Sequence, residues 1–264
     1  MKHLTFVVLG VAALAAGCGN NGNDGIGTNA LGYYGDVNWD NAVMTGSGTT
    51  EANIRVNDDD SVTVQITEGP DAGETATFYA DGSGGYFNDD VDAYLQLGYF
   101  DDPSIKDGPV VALIDVASDD ENLTLMAFRS SNGMTAASDM PVTGFATYRG
   151  SHVGGAAIPG DYLGYIEGGF QANVDFGAGQ LAGAMQSGLG DITFDATISG
   201  AEFDSNANSI AIDNDYGVIN QGASGVEGGF YGEGAAGMAG TYLLNGQGPL
   251  NGAGAVGAFV ADRD

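Results

Sequence analysis

Hydrophobic and polar residues alternate along many short segments of this chain. In one of them, Val62, Val64 and Ile66 fall on one face of an extended strand, whereas Thr63 and Gln65 fall on the other. Turn-forming residues separate these segments, and no stretch of useful length has the spacing of an amphipathic helix. The pattern therefore predicts an all-β protein.

The alternation is clearest in the second half of the chain. Segments 170–176 and 192–198 each place hydrophobic residues on one face and polar residues on the other, and about eight such strands follow one another up to residue 260. This number suits an antiparallel up-and-down barrel filled by its own side chains. The 46 glycines include many at strand ends, where they permit tight turns and corners. We predict an eight-stranded antiparallel up-and-down barrel in the C-terminal half.

A run of small residues interrupts the strand pattern near the middle of the chain. It covers residues 132–139 and ends at Met140-Pro141. The strands before this run are fewer and predict a small sheet beside the barrel. We therefore predict a β-rich, handle-like domain over residues 31–139 and the barrel domain over residues 140–264.

The N-terminus has the features of a secretory signal peptide over residues 1–17. Its apolar segment, 4–16, is too short to span a bilayer as a stable helix. The ending Ala15-Ala16-Gly17-Cys18 resembles the bacterial lipoprotein signal, in which the cysteine becomes the lipidated first residue of the mature protein. We predict lipidation at Cys18; the alternative is an ordinary secretory signal with a chance cysteine.

The residues after Cys18 are rich in glycine and asparagine. Such a stretch cannot bury apolar surface, so residues 18–30 are predicted to form a flexible tether. Asn20 is similar to the residue that sends bacterial lipoproteins to the outer membrane. We expect a lipid-anchored protein of the outer membrane, displayed at the cell surface or facing the periplasm.

Composition excludes several classes of partner and site. The chain has 35 acidic and 6 basic residues, a net charge of -29, so nucleic acid is not an expected partner. Solubility in a salty habitat is favoured over an acidic recognition surface as the reason for this acidity. Cys18 is the only cysteine, which excludes disulfides and thiolate metal sites from the folded part.

Few residues are suited to catalysis. After signal removal the only histidine is His152, and neither a nucleophile elbow nor a phosphate-binding loop is present. Asp204, Asn206 and Asn208 have the alternating spacing of calcium ligands, but the sequence favours a polar hairpin loop, because Ser209 stands where a calcium loop needs glycine. We therefore predict a protein that is not an enzyme, with no cofactor and no assigned metal site.

Glycines, aromatic residues and methionines recur in a spaced pattern from residue 133 onward. The positions concerned are Met140, Pro141, Gly144, Ala146, Tyr148, Gly150, Gly229, Phe230, Tyr231, Gly232, Met238, Gly240, Gly257 and Phe259. The pattern resembles the barrel domain of transferrin-binding protein B and its relatives, and the barrel is similar to that of factor H binding protein. The resemblance implies that these residues determine the fold and that the protein captures another protein.

A long segment between the first two barrel strands is the candidate contact surface. It covers residues 151–168 and carries His152, Tyr162 and Tyr165. Aromatic residues in exposed loops make good anchors for a partner; the alternative is packing at the barrel rim.

The resulting hypothesis is a non-catalytic surface lipoprotein. It would bind a protein, or a ligand that carries iron or haem, through barrel and handle loops, with an outer-membrane transporter as a further candidate partner. The alternatives are a structural lipoprotein of the envelope and a calcium-dependent adhesion module.

Overall fold

A computed structural model describes residues 27–100, 110–117, 122–213 and 218–264. The signal peptide, Cys18 and most of the tether lie outside these residues. The first strand begins at Gly27 and Ala30 is fully buried, so the predicted tether ends before residue 30. In the described part of the chain, no helix combines the length and apolar character needed to cross a bilayer.

The N-terminal half forms a closed ring of eight antiparallel strands, each paired with the next along the chain. Their bounds are β1 Gly27–Asn38, β2 Val43–Val56, β3 Val62–Glu68, β4 Thr75–Ala80, β5 Tyr86–Asn88, β6 Ala93–Gly98, β7 Val111–Ala117 and β8 Asn122–Arg129. The ring closes because β1 pairs with β8 as well as with β2. The predicted small sheet is thus a complete ring, which we call the N-terminal ring.

The C-terminal half also closes on itself. Its strands are β9 Phe145–Ile158, β10 Tyr162–Asp175, β11 Gln180–Met185, β12 Asp191–Ser199, β13 Glu202–Ser205, β14 Ala211–Asp213, β15 Val218–Ile219, β16 Gly225–Tyr231, β17 Gly237–Gln247 and β18 Gly254–Arg263, with a 3-10 helix at Gly248–Leu250. Around the barrel the order is β9, β10, β11, β12, β13, β16, β17 and β18, and β18 pairs back to β9. Short strands β14 and β15 add to β12 and β17. The predicted all-β class and the C-terminal barrel are confirmed.

Aromatic rings fill the interior of the C-terminal barrel. Phe230 lies 5.6–5.7 Å, between ring centroids, from Tyr148, Phe176 and Phe203. Phe259 stacks on Phe170 at 4.2 Å. These rings bury large apolar areas and make oriented ring contacts, which accounts for a barrel core without disulfides.

Glycine makes room for these rings where strands face them. A Cβ at Gly240 would lie 2.3 Å from Cζ of Phe259 and 2.3 Å from the carbonyl oxygen of Glu227. Any side chain there would displace both the ring and the neighbouring strand. The glycine of the sequence motif is therefore a packing requirement of the barrel.

Besides the cores inside the N-terminal ring and inside the barrel, a separate apolar core joins the two halves. Outward side chains of β1, β2, β7 and β8 pack against outward side chains of β9, β17 and β18. Leu125 and Gly155 meet in this core, where a Cβ on the glycine would lie 2.6 Å from Leu125 Cδ1. The ring and the barrel are therefore packed directly against each other through an apolar interface.

Candidate functional site

The predicted contact segment 151–168 is not a loop. The structure places it in the long hairpin of β9 and β10, in which Gly155 pairs with Tyr165 and Gly168 pairs with His152. Only residues 159–161 form the turn. The prediction of a loop was wrong because glycines at many of these positions hide the alternation that marks a strand.

His152 lies inside the barrel, so its assignment to an exposed contact loop is corrected. The side chain is 3% exposed, with Nδ1 3.1 Å from the Tyr242 hydroxyl and Nε2 2.8 Å from the carbonyl oxygen of Gln186. Nε2–H donates to that carbonyl, so Nδ1 accepts from the tyrosine. Burial lowers the pKa of His152, and the bond to Gln186 opposes this effect. The imidazole is a neutral cross-brace between strands.

The buried imidazole gives the stability a specific pH dependence. Since the pKa of His152 in the fold lies below its unfolded value, the unfolded chain binds the extra proton first and stability falls as pH drops below about 6.5. We expect His152→Gln to cost about 1–2 kcal/mol at pH 8, through lost hydrogen bonds and packing, and less at pH 5. Urea unfolding of both proteins at the two pH values measures the difference.

A variant without a titrating group provides the control for His152. The buried Thr135 hydroxyl donates to the carbonyl oxygen of Gly232 at 2.8 Å. Thr135→Val also removes a buried hydrogen bond, but its cost should be the same at pH 5 and pH 8. An equal cost of His152→Gln at both pH values would contradict the neutral cross-brace.

The two tyrosines of the hairpin lie at one end of the barrel. Tyr162 is half-buried and its hydroxyl donates to the backbone carbonyl of Tyr165. Burial raises the pKa of Tyr162. Tyr165 is 37% exposed and points away from the barrel interior, opposite to the neighbouring Ile166. Of the three candidate contact residues, Tyr165 therefore has the most accessible ring.

An apolar cavity of about 50 Å³ lies at this end of the barrel. Its lining includes Ile158, Ile166, Leu189, Ile192, Leu244 and Leu250. It is smaller than an engineered cavity of ~150 Å³ that binds benzene, and it has room for a small apolar group.

A charged cluster around the buried Arg129, which the sequence analysis missed, lies where the N-terminal ring meets the barrel. Arg129 of β8 is 3% exposed, and its Nη2 lies 3.1 Å from Oε1 of Glu202 in β13. Burial raises the pKa of Glu227, and the Arg129 guanidinium opposes this effect. The Tyr231 hydroxyl donates to the backbone carbonyl of Ser130. These contacts bridge residues far apart in sequence and link the two halves.

The other motif residues have structural positions. Tyr148 is fully buried and its hydroxyl donates to the carbonyl oxygen of Ala235 at 2.6 Å. Gly144 has a φ of 96°, which disfavours a side chain. Met238 is also fully buried. Tyr148 and Met238 are therefore core residues of the barrel, whereas Gly144 permits a turn at its surface.

The predicted calcium spacing does not gather into a ligand cluster. Asn206 Oδ1 accepts a hydrogen bond from the Thr197 hydroxyl at 2.6 Å, and Asp204 pairs with Glu227 across two strands. Among the residues that the structure describes, no group of three or more His, Cys, Asp or Glu side chains is placed to hold a metal ion.

A comparison with protein families assigns the barrel. The family model for the C-lobe and N-lobe β-barrels of transferrin-binding protein B matches residues 140–263. Residues 140–263 therefore resemble the barrels of the transferrin-binding protein B family. The predicted resemblance is confirmed, and the match begins at Met140 of the sequence motif.

Solved structures of the same type are similar to the chain at low identity. A transferrin-binding protein B variant from Haemophilus parasuis Hp5 is 16% identical, with 81% of this chain and 51% of that chain covered and a TM-score of 0.48. The isotype 1 protein from serogroup B Neisseria meningitidis is 17% identical, with coverage of 81% and 50% and a TM-score of 0.43. The chain thus spans about half the length of these two proteins.

HpuA from Kingella denitrificans, solved in complex with human haemoglobin, is a third similar structure. It is 12% identical, with 92% of this chain and 88% of that chain covered and a TM-score of 0.42. No curated protein matches the sequence. The family assignment therefore depends on the match of residues 140–263 to the family model.

Proposed function

We propose that this protein is a lipid-anchored binding protein of the outer membrane, displayed at the cell surface, which captures a protein that carries iron or haem. The observation that carries the proposal is the match of residues 140–263 to the transferrin-binding protein B barrel. The signal-peptide pattern that ends at Cys18 supports export and lipid attachment. Capture requires no chemical step, so the protein is not an enzyme, and an outer-membrane transporter is a fitting acceptor for the cargo.

The β9–β10 hairpin is the proposed contact surface on the barrel. Tyr165 presents a partly exposed ring, and the hydroxyl of Tyr162 fixes the backbone beside it. Rigid aromatic side chains lose little conformational freedom on binding, which favours them as anchors at protein interfaces. The small apolar cavity at this end of the barrel can receive one apolar side chain of the partner.

Binding of the full-length protein to iron-loaded transferrin and to haemoglobin tests the proposal. Transferrin is chosen because one of the similar structures is a transferrin-binding protein. Haemoglobin is chosen because another was solved in complex with it. We expect at least one to bind, and Tyr165→Ala to weaken that binding about tenfold or more, as for an anchor residue. Phe145→Ala is the matched control, because Phe145 is 79% exposed at the other end of β9 and should leave affinity unchanged.

Location is tested separately in cells. Palmitate labelling should be lost in Cys18→Ser, and protease added to whole cells should remove the wild-type protein. Failure of both probes to bind would reject the proposed cargo, and full protection from protease would favour a structural envelope lipoprotein. A melting temperature that falls on addition of a chelator would favour the calcium-dependent adhesion module.

A further inference from the structure

A row of aromatic residues lies on the outer face of the N-terminal ring. Tyr79 of β4 is paired with Phe87 of β5, and Phe87 is paired with Tyr94 of β6. Their sequence neighbours Phe78 and Leu95 belong to the core inside the ring, so the three paired residues point outward. Adjacent strands are ~4.8 Å apart, so the row extends over about 10 Å. We call these three residues the aromatic row.

The aromatic row is accessible to solvent. Tyr79 is 60% exposed, and Phe87 and Tyr94 are half-buried. Gly85 lies beneath Tyr94, since a Cβ there would be 2.0 Å from its hydroxyl oxygen. The tyrosine ring therefore lies against the backbone of Gly85, directly before β5. Val91, in the turn between β5 and β6, adds a side chain that is 41% exposed.

The row is separate from the surface that joins the two halves. The apolar core between ring and barrel draws its N-terminal side chains chiefly from β1, β2, β7 and β8, whereas the row lies on β4, β5 and β6. Packing against the barrel therefore does not account for these exposed rings. An aromatic surface that the fold does not bury is a candidate for binding.

The chain segment that carries the row is acidic. Residues 57–100 contain ten Asp and Glu residues and no Lys or Arg. Asp89, Asp90 and Asp92 are exposed in the turn between Phe87 and Tyr94. Asn88 holds this turn, because its Oδ1 accepts hydrogen bonds from the backbone N–H groups of Asp90 and Val91. At the other end, burial acts to raise the pKa of Asp81, but hydrogen bonds from Ser83 and Gly85 together outweigh it and lower this pKa.

Aromatic faces and carboxylates attract the same kind of group. The negative face of an aromatic ring binds a guanidinium or an ammonium, and nearby carboxylates add to this attraction. The aliphatic stems of arginine and lysine can lie along the rings while their charged ends reach the aspartates. An anionic ligand would be repelled, and a neutral one would gain nothing from the acidic border.

We propose that the aromatic row and its acidic border form a docking surface for an arginine- or lysine-rich segment of a partner protein. The inference deepens the proposed function, on whose capture of a protein it rests. It assigns to the N-terminal ring a contact surface distinct from the β9–β10 hairpin and specifies a basic, flexible segment as its occupant. The net charge of -29 then raises the rate of encounter, and the aromatic row provides the specific contact.

Titration of a fluorescein-labelled octa-arginine peptide into the full-length protein at ~0.15 M salt, the ionic strength at which long-range attraction is largely screened, tests this inference. We expect the double variant Tyr79→Ala/Phe87→Ala to bind about tenfold more weakly than wild type, because two cation–π contacts are lost. Tyr79→Phe should retain binding, since it keeps the ring. Phe145→Ala removes a highly exposed ring from the barrel and should have no effect.

A matched pair of charge variants separates the surface from general attraction. Asp89→Asn/Asp90→Asn removes two charges beside the row, whereas Asp58→Asn/Asp60→Asn removes two exposed charges from the β2–β3 turn. The first pair should weaken peptide binding several-fold more than the second. Melting temperatures of all variants should stay within a few degrees of wild type, which excludes unfolding as the cause.

Two results would overturn the inference. One is an affinity of Tyr79→Ala/Phe87→Ala for the octa-arginine peptide equal to that of wild type. The other is an equal loss of peptide affinity in both pairs of aspartate variants. Either result would mean that the peptide is attracted diffusely to an acidic protein. The result is independent of the proposed cargo. Peptide binding through the row without binding of transferrin or haemoglobin would retain the docking surface and reject that cargo, and the reverse outcome would reject the surface alone.

Discussion

Replacement of Arg129 by methionine is expected to lower the free energy of unfolding by about 3 kcal/mol. The guanidinium is almost fully buried, and Oε1 of Glu202 lies 3.1 Å from its Nη2. Methionine fills a similar volume but leaves the acidic groups without their cation. Glu227 is the critical one, because burial already raises its pKa and the Arg129 guanidinium is the strongest influence that opposes the rise. The Glu202 side chain is 50% exposed, so water compensates part of its loss.

Urea unfolding at pH 7 measures this effect, and a second ion pair in the same protein is the control. Arg149 Nε lies 2.8 Å from Oδ2 of Asp264, but their side chains are 61% and 48% exposed. Arg149→Met should therefore cost less than about 1 kcal/mol. Equal costs of the two substitutions would show that burial of Arg129 carries no special weight and would contradict the role assigned to it.

The cost of Arg129→Met should also depend on pH. Without the guanidinium, the pKa of Glu227 in the fold rises further above its unfolded value. The unfolded chain then loses this proton at lower pH than the folded one, so the variant loses additional stability as pH rises from about 5 to 8. Addition of Glu227→Gln to Arg129→Met should remove this pH dependence and restore part of the stability.

Alternation of side chains was sufficient to predict the class and the barrel. Strands such as β3 and β12 carry hydrophobic residues at every second position, and the burial of Val62, Val64 and Phe194 agrees with that pattern. The same rule failed for β1 and for residues 151–168 of the β9–β10 hairpin, because glycines replace hydrophobic residues there. A Cβ at Gly32 would lie 1.8 Å from the carbonyl oxygen of Ala127, so that position must be glycine and carries no hydrophobic signal.

Closure of the N-terminal ring and the Arg129 cluster could not be predicted by local reasoning. The ring closes through β1 and β8, and the ion pair joins Arg129 to Glu202. Both depend on which distant strands become neighbours, and a residue's own sequence context does not contain this information. The aromatic row shows the same limit, because Tyr79, Phe87 and Tyr94 form a surface only once their strands are paired.

Phe230→Ala is expected to have the largest effect on stability, a loss of about 4 kcal/mol. The Phe230 side chain is fully buried, and its aromatic ring contacts those of Tyr148, Phe176 and Phe203. Truncation would lose the apolar area of the ring and leave a cavity that three rigid rings cannot fill. Chemical unfolding, followed by circular dichroism and by tyrosine fluorescence, measures the loss. Phe145→Ala, which removes a ring that is 79% exposed, should change the free energy by less than about 0.5 kcal/mol.

The shape of this transition tests how the two halves depend on each other. Leu125 of the ring packs on Gly155 of the barrel within an extensive apolar core, and the Arg129 ion pair crosses the same boundary. We therefore expect the Phe230→Ala variant to unfold in one transition, in which the N-terminal ring and the barrel unfold together. The reason is that unfolding of the barrel exposes the outer faces of β7 and β8 to water. Two separate transitions, the first confined to the barrel, would instead show that the N-terminal ring is stable without its partner. In that case, octa-arginine binding to the aromatic row would persist in the urea range between them.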